Sequence, residues 1–242
     1  METDVLVIAA HPDDAELSCG GAIANLTTSG KSVVIADCTR GELGSRGTIE
    51  IRAREAENAS QILGVKSRVN LAMQDGNIQQ SQENILSMIT LIRRFCPKII
   101  LFNPPFERHP DHENVHLLVR TAVFQSGLTK IETYFNGILQ QTHRPKQMFC
   151  YMQTYEFQPS FSIDISDVFD IKMSAICAYS SQVFVEGKSD MNEPATFISN
   201  PDFMEMLKAR ARYFGALIGV RYAEPFLAIE PVGIPSMGIW LK

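Results

Sequence analysis

Apolar runs of strand length alternate with helical stretches along the first half of this chain, and that alternation limits what it can fold into. Residues 5–10 are an unbroken run of Val, Leu, Ile and Ala, as in a strand buried on both faces. Residues 15–29 offer a helix that Gly30 stops. A second strand is read at 33–37, a polar helix at 49–63 ending at Gly64, and a short strand at 68–71. A helix at 83–95, a strand at 98–102 after Pro97 and a helix at 113–124 follow. Strands separated by helices pair in parallel through right-handed crossovers. The expected fold class is therefore α/β, with a mainly parallel sheet and helices on both faces.

Beyond about residue 130 the pattern weakens. Residues 137–148 are rich in Gln, Thr and His, 151–164 read as extended, and 169–179 and 201–217 read as helices. The stretch 185–200 reads as a surface loop. With no internal repeat and no long linker, one domain over 1–242 is expected, its core in 1–130 and irregular strands and helices in 131–242 completing it. A chain of 242 residues buries roughly 70–75% of its unfolded surface and needs no disulfides.

Composition removes several function classes. The net charge is −5, and no basic block offers phosphate neutralisation, so no nucleic-acid partner is expected. Lys208, Arg210 and Arg212 alternate with apolar residues and read as one solvated helix face. The five cysteines are scattered without a CxxC, which argues against a zinc ribbon or redox pair and for buried thiols in a reducing compartment. The N-terminus lacks a basic, then apolar, leader, and no apolar run reaches the ~20 residues of a membrane span. A cytoplasmic protein with no membrane partner is expected.

Two short strings carry the chemistry. His11-Pro12-Asp13-Asp14 follows the first strand and His109-Pro110-Asp111-His112 follows the strand at 98–102. In parallel α/β folds ligands gather at the carboxyl ends of strands, so both strings are expected at one edge. Each His-Pro-Asp alone is compatible with a plain turn; together they hold three of the chain's five histidines. Zinc takes neutral imidazole and carboxylate ligands, three from the protein at a catalytic site. His11, Asp14 and His112 would provide that set, which also suits ferrous iron. Asp13 is then placed as general base. His109 would donate to an oxyanion or leaving amine, with Asp111 orienting its imidazole. His116 shares a helix face with His112 and reads as a packing or exposed histidine.

The strings AHPDDAE at 10–16 and RHPDH at 108–112, with the loop TRGELGSRGT at 39–48, resemble the LmbE/PIG-L family of zinc-dependent de-N-acetylases. REAENASQILGV at 54–65, DG at 75–76, SGL at 126–128, AYSSQ at 178–182 and IGVRYAEPF at 218–226 resemble its bacillithiol-biosynthesis branch. The resemblance implies a Rossmann-like α/β sandwich. It also implies His11, Asp14 and His112 as metal ligands, Asp13 as base, His109 as oxyanion stabiliser and Asp111 as its partner. The implied substrate is a small-molecule sugar conjugate, N-acetylglucosaminyl malate in that branch, and relatives commonly form homo-oligomers.

The glycine-punctuated loop 40–47 matches neither a dinucleotide nor a P-loop pattern. It leaves Glu42, Arg46 and Arg52 near the site mouth as candidate substrate-binding residues, with arginine the natural partner of a malate carboxylate. The string 222–226 is expected to shape the pocket or a subunit contact. Two rival readings remain at this level: deacetylation of another glycoconjugate or a chitooligosaccharide, and a non-catalytic metal- or sugar-binding protein. Binding alone would require neither Asp13 nor His109.

Overall fold

Strand β1 is Val5–Ala9, with every side chain buried. The computed structural model describes residues 2–187, 189, 192–234 and 236. The chain continues through α1 (Asp14–Thr28), β2 (Val33–Asp37), α2 (Ile49–Ile62), β3 (Ser67–Asn70), α3 (Gln82–Phe95), β4 (Ile99–Phe102) and α4 (Pro110–Ser126). A small hairpin pairs β5 (Tyr134–Phe135) with β6 (Ile138–Leu139). It precedes β7 (Gln147–Tyr151) and β8 (Phe161–Asp164). A 3-10 turn at Ser166–Val168 leads to α5 (Phe169–Cys177), then α6 (Pro201–Leu217) and β9 (Ala223–Ala228).

Seven strands form one sheet in the order β3-β2-β1-β4-β7-β9-β8. The pairs from β3 to β7 are parallel, and β9 runs antiparallel to β7 and β8. This is the expected α/β sheet. Successive β1 side chains point to opposite faces. Val5, Val7 and Ala9 meet Ala22, Ala59 and Ala175 of α1, α2 and α5, while Leu6 and Ile8 meet Ile89, Ile92 and Leu118 of α3 and α4. Helices on both sides explain why the run has no polar alternation. No described helix is long and apolar enough to cross a membrane.

From β1 the chain winds outward through β2 and β3, then returns to place β4 on the other flank of β1. That switch opens a crevice beyond the carboxyl ends of β1 and β4. Helix α4 starts at Pro110, earlier than expected, because His109 caps it and Pro110 occupies the first turn. His112 therefore sits on a helix rather than in a loop.

Helix α1 is broken at Cys19, whose φ of −137° and ψ of 21° are not helical. Just past the break, the Gly21 and Ala22 amides donate to the Glu224 carboxylate at 2.9 and 2.7 Å. Just before it, the Leu17 carbonyl accepts from Lys172 Nζ at 3.1 Å. Lys172 also pairs with Glu224. A Cβ at Gly21 would stand 2.7 Å from Ile165 Cδ1, so only glycine permits this approach. The 222–226 string, expected to shape the pocket or a subunit contact, belongs mostly to β9 and brings Glu224 to this break.

Candidate functional site

The HPDD string makes a tight turn between β1 and α1. Asp13 caps α1 with φ 113°, a conformation rare outside glycine, and makes no side-chain bond to the helix. Such a residue costs roughly 1–3 kcal/mol and persists only where its surroundings hold it. Arg52 of α2 is the holder: its Nη2 donates to the Pro12 carbonyl at 2.6 Å and to Asp13 Oδ2 at 3.1 Å. Burial pushes the Asp13 carboxyl up, to about 7, while Arg52 pulls it the other way.

Asp14 turns inward. Its Oδ2 accepts from the His11 amide and its Oδ1 from Gln153 Nε2, both at 2.9 Å. Oδ2 stands 3.6 Å from His11 Nδ1, and Oδ1 stands 3.3 Å from His112 Nε2. These separations exceed those of charge-assisted hydrogen bonds. They match the roughly 3.4 Å edge of a tetrahedron of ligands about 2.0–2.1 Å from one ion. The His112 Nδ1 is buried without a hydrogen-bond partner among the described residues. The donor set, two imidazoles and a carboxylate, therefore fits a divalent metal. His109 joins the two at ring-centroid distances of 4.7 Å to His11 and 5.1 Å to His112.

The second string departs from expectation in one respect. Asp111 does not orient the His109 imidazole. Its carboxylate accepts from the Gly76 and Ile78 amides at 2.7 and 3.2 Å and lies 3.3 Å from His11 Nε2. Only the Asp111 amide reaches His109, donating to Nδ1 at 3.2 Å. The cause is local: as cap of α4, His109 must offer an acceptor to the helix's free amides. An accepting Nδ1 puts the proton of the neutral ring on Nε2. Burial lowers His109, with His11 and His112 adding to it, so the ring is a neutral donor.

Asp75, just after the β3 segment, is the residue that sequence reasoning passed over. It accepts from His11 Nε2 at 3.0 Å and from the Leu43 amide at 2.8 Å. Burial pushes its carboxyl up, but His11 and Leu43 outweigh this and hold it at about 2. The DG pair at 75–76 was its only trace. A carboxylate behind a ligating imidazole fixes ring and tautomer. Asp75→Ala is expected to weaken metal affinity roughly 10- to 100-fold, read by competition with a chelator. Unchanged affinity would remove it from the site.

His11, Asp13, Asp14, Asp75, His109 and His112 line a cavity of about 390 Å³. Arg52 lines it, whereas Glu42 and Arg46 are not among the described residues of its lining. Glu42 instead accepts from the Asp75 amide. Arg46 is buried against the Ser181, Glu193 and Pro194 carbonyls and pairs with the Glu193 carboxylate at 3.3 Å. It ties the 40–47 loop to the 185–200 segment, where Lys188, Asp190 and Met191 lie outside the described residues. Thr196, Phe197 and Ile198 of that segment also line the cavity. Arg210, expected on a solvated face, lines the cavity too. His116 is apart from the cluster, stacked on Phe102 and facing the Asn103 carbonyl.

Known proteins resemble this chain in sequence and in fold. The sequence pattern of the family described as PIG-L, GlcNAc-PI de-N-acetylase, matches residues 6–123. A diacetylchitobiose deacetylase of Thermococcus kodakarensis is 33% identical over 230 residues, covering 91% of this chain and 80% of the relative. A probable N-acetyl-alpha-D-glucosaminyl L-malate deacetylase 2 of Bacillus cereus is 30% identical over 195 residues, covering 75% and 84%. The crystal structure of the conserved protein TT1542 from Thermus thermophilus superposes with a TM-score of 0.85 at 38% identity, covering 96% of this chain and 98% of that one. By sequence along most of its length and by fold, this chain belongs to the PIG-L/LmbE family of de-N-acetylases.

Proposed function

We propose that the chain hydrolyses the N-acetyl group of an N-acetylglucosamine conjugate, and that His11, Asp14 and His112 hold the divalent metal, zinc or ferrous iron, for that reaction. The observation that carries the reading is that Asp13 and His109 line the same cavity as His11, Asp14 and His112. Bound there, the metal would supply Lewis acidity toward the acetamide carbonyl and a nucleophile near neutral pH. Asp13, positioned by Arg52, takes the proton of the attacking water. His109 donates its Nε2 proton as a hydrogen bond to the oxygen that gains charge at the acetyl carbon. The amine leaves with the proton that Asp13 took from the water. Asp75 and Asp111 orient His11 from behind.

The substrate favoured here is N-acetylglucosaminyl malate, on the resemblance of the strings at 54–65, 178–182 and 218–226. The relative of higher identity is named for diacetylchitobiose, which supports a neutral disaccharide as the second reading. Metal-replete protein is to be incubated with each compound and with free N-acetylglucosamine, and released amine followed. Turnover of the malate conjugate well above the disaccharide is expected. The reverse order would establish the second reading. Turnover of neither would remove both.

A further inference from the structure

Helix α6 turns Phe203, Leu207, Ala211 and Phe214 inward. Position 210, seven residues after Phe203 and three after Leu207, falls on this apolar stripe. It is an arginine. Its side chain lines the cavity beside Phe203, Met206 and Leu207, and its Nη1 donates to the Gln153 carbonyl. Among the described residues it has no ion pair, unlike Arg46, Arg52 and Arg68.

The carboxylates that act on Arg210 at longer range are Glu224, Glu107 and Glu156. Two of these are committed elsewhere. Glu224 takes the α1 amides and Lys172, and Glu107 takes the Thr154 and Tyr155 amides. Glu156 is exposed. Burial therefore still depresses the guanidinium. A guanidinium has five N–H donors, and Arg210 meets a single protein acceptor among the described residues, which leaves donors available to a ligand in the cavity. The other arginines of the cavity are differently placed. Arg52 is taken by Asp13 and the Pro12 and Gly41 carbonyls, and Arg108 is exposed, stacked 4.7 Å over Phe197.

Gln153 links Arg210 to the reacting centre, since the residue whose carbonyl accepts from Arg210 also donates its side chain to Asp14. An anion on Arg210 would thus lie one residue's span from the metal ligands, where the group attached to the sugar must extend. We infer that Arg210 determines specificity by binding a carboxylate on that attached group, so the substrate class is an anionic N-acetylglucosamine conjugate rather than a neutral oligosaccharide. The inference rests on the deacetylase reading only for what the rest of the cavity does.

The test uses the full metal-replete chain as wild type, Arg210→Gln and Arg210→Lys, with melting temperature and metal content checked for each. Steady-state kinetics are measured on N-acetylglucosaminyl malate and on diacetylchitobiose, and L-malate and its dimethyl ester are titrated by calorimetry. Arg210→Gln is expected to lower the anionic-to-neutral ratio of kcat/KM roughly 10- to 100-fold, through KM. Arg210→Lys keeps charge without the fork and should recover part of it. Wild type should bind malate but not the diester, and Arg210→Gln should lose malate. Equal losses on both substrates would assign Arg210 to holding Gln153 and overturn the inference. So would malate binding that is absent in wild type or unaltered by the substitution. If neither compound is hydrolysed, the deacetylase reading for these substrates falls, while calorimetry still decides for or against the anion site.

Discussion

Replacing Asp13 by alanine is expected to lower kcat by roughly 10²–10⁴-fold, the range of a lost general base, while the protein keeps its metal. Asp14→Ala is expected to lose the metal itself. The contrast follows from where adjacent carboxylates point: Asp14 into the gap between His11 and His112, Asp13 toward Arg52. Alanine at position 13 also leaves Arg52 short of its carboxylate and must adopt φ 113°. Asp13→Asn controls for both effects, because asparagine tolerates positive φ better and keeps an oxygen for Arg52. It should be as inactive as alanine yet closer to wild type in stability. Metal analysis beside single-substrate kinetics decides the matter. Metal lost from Asp13→Ala and retained by Asp14→Ala would reverse the two roles.

The second large effect is on stability and arises away from the cavity. Glu224→Ala would leave Lys172 buried without its partner and the Gly21 and Ala22 amides without an acceptor. Breaking a buried pair from one side costs about 3–5 kcal/mol, which for a chain of this size lowers Tm by roughly 10 °C. Lys172→Met should cost less, because Glu224 keeps both amides and sits at a helix start whose dipole favours it. A thermal melt of both variants tests this. Equal losses would mean that the ion pair, not the bridging of the α1 break, dominates. Asp14, Leu17 and Ser18 line the cavity from the segment before that break, so the melted α1 would also loosen the site.

Much of the architecture was legible because it depends on local pattern. The run at 5–10 is apolar at every position, and a strand with helices on both faces requires that. The alternation that follows dictated parallel pairing and hence the common edge for His11 and His112. The later strands were harder to read. β9 contains Pro225 and Glu224, which composition reads against a strand, yet it lies between β7 and β8 in the sheet. Glu224 is tolerated there because α1 and Lys172 satisfy it, and α1 lies at the far end of the chain.

The candidate site divides along the same line. His11, Asp13, Asp14, His109 and His112 announce themselves because the proposed ligand and proton-transfer groups follow two adjacent strand ends, which keeps them clustered in sequence. Pairings between groups carry no such mark. Asp111 serves His11 rather than His109 because α4 begins at Pro110 and claims His109 Nδ1 for its cap. Asp75 is a lone aspartate until the turn after β3 folds back onto His11. Arg210 reads as one charge of a solvated helix face until α6 packs and turns it into the cavity. Residue chemistry and periodicity thus determined the elements and the reactive groups. Which carboxylate faces which imidazole, and which arginine faces the cavity, was decided only by long-range packing, because each depends on atoms brought together from distant parts of the chain.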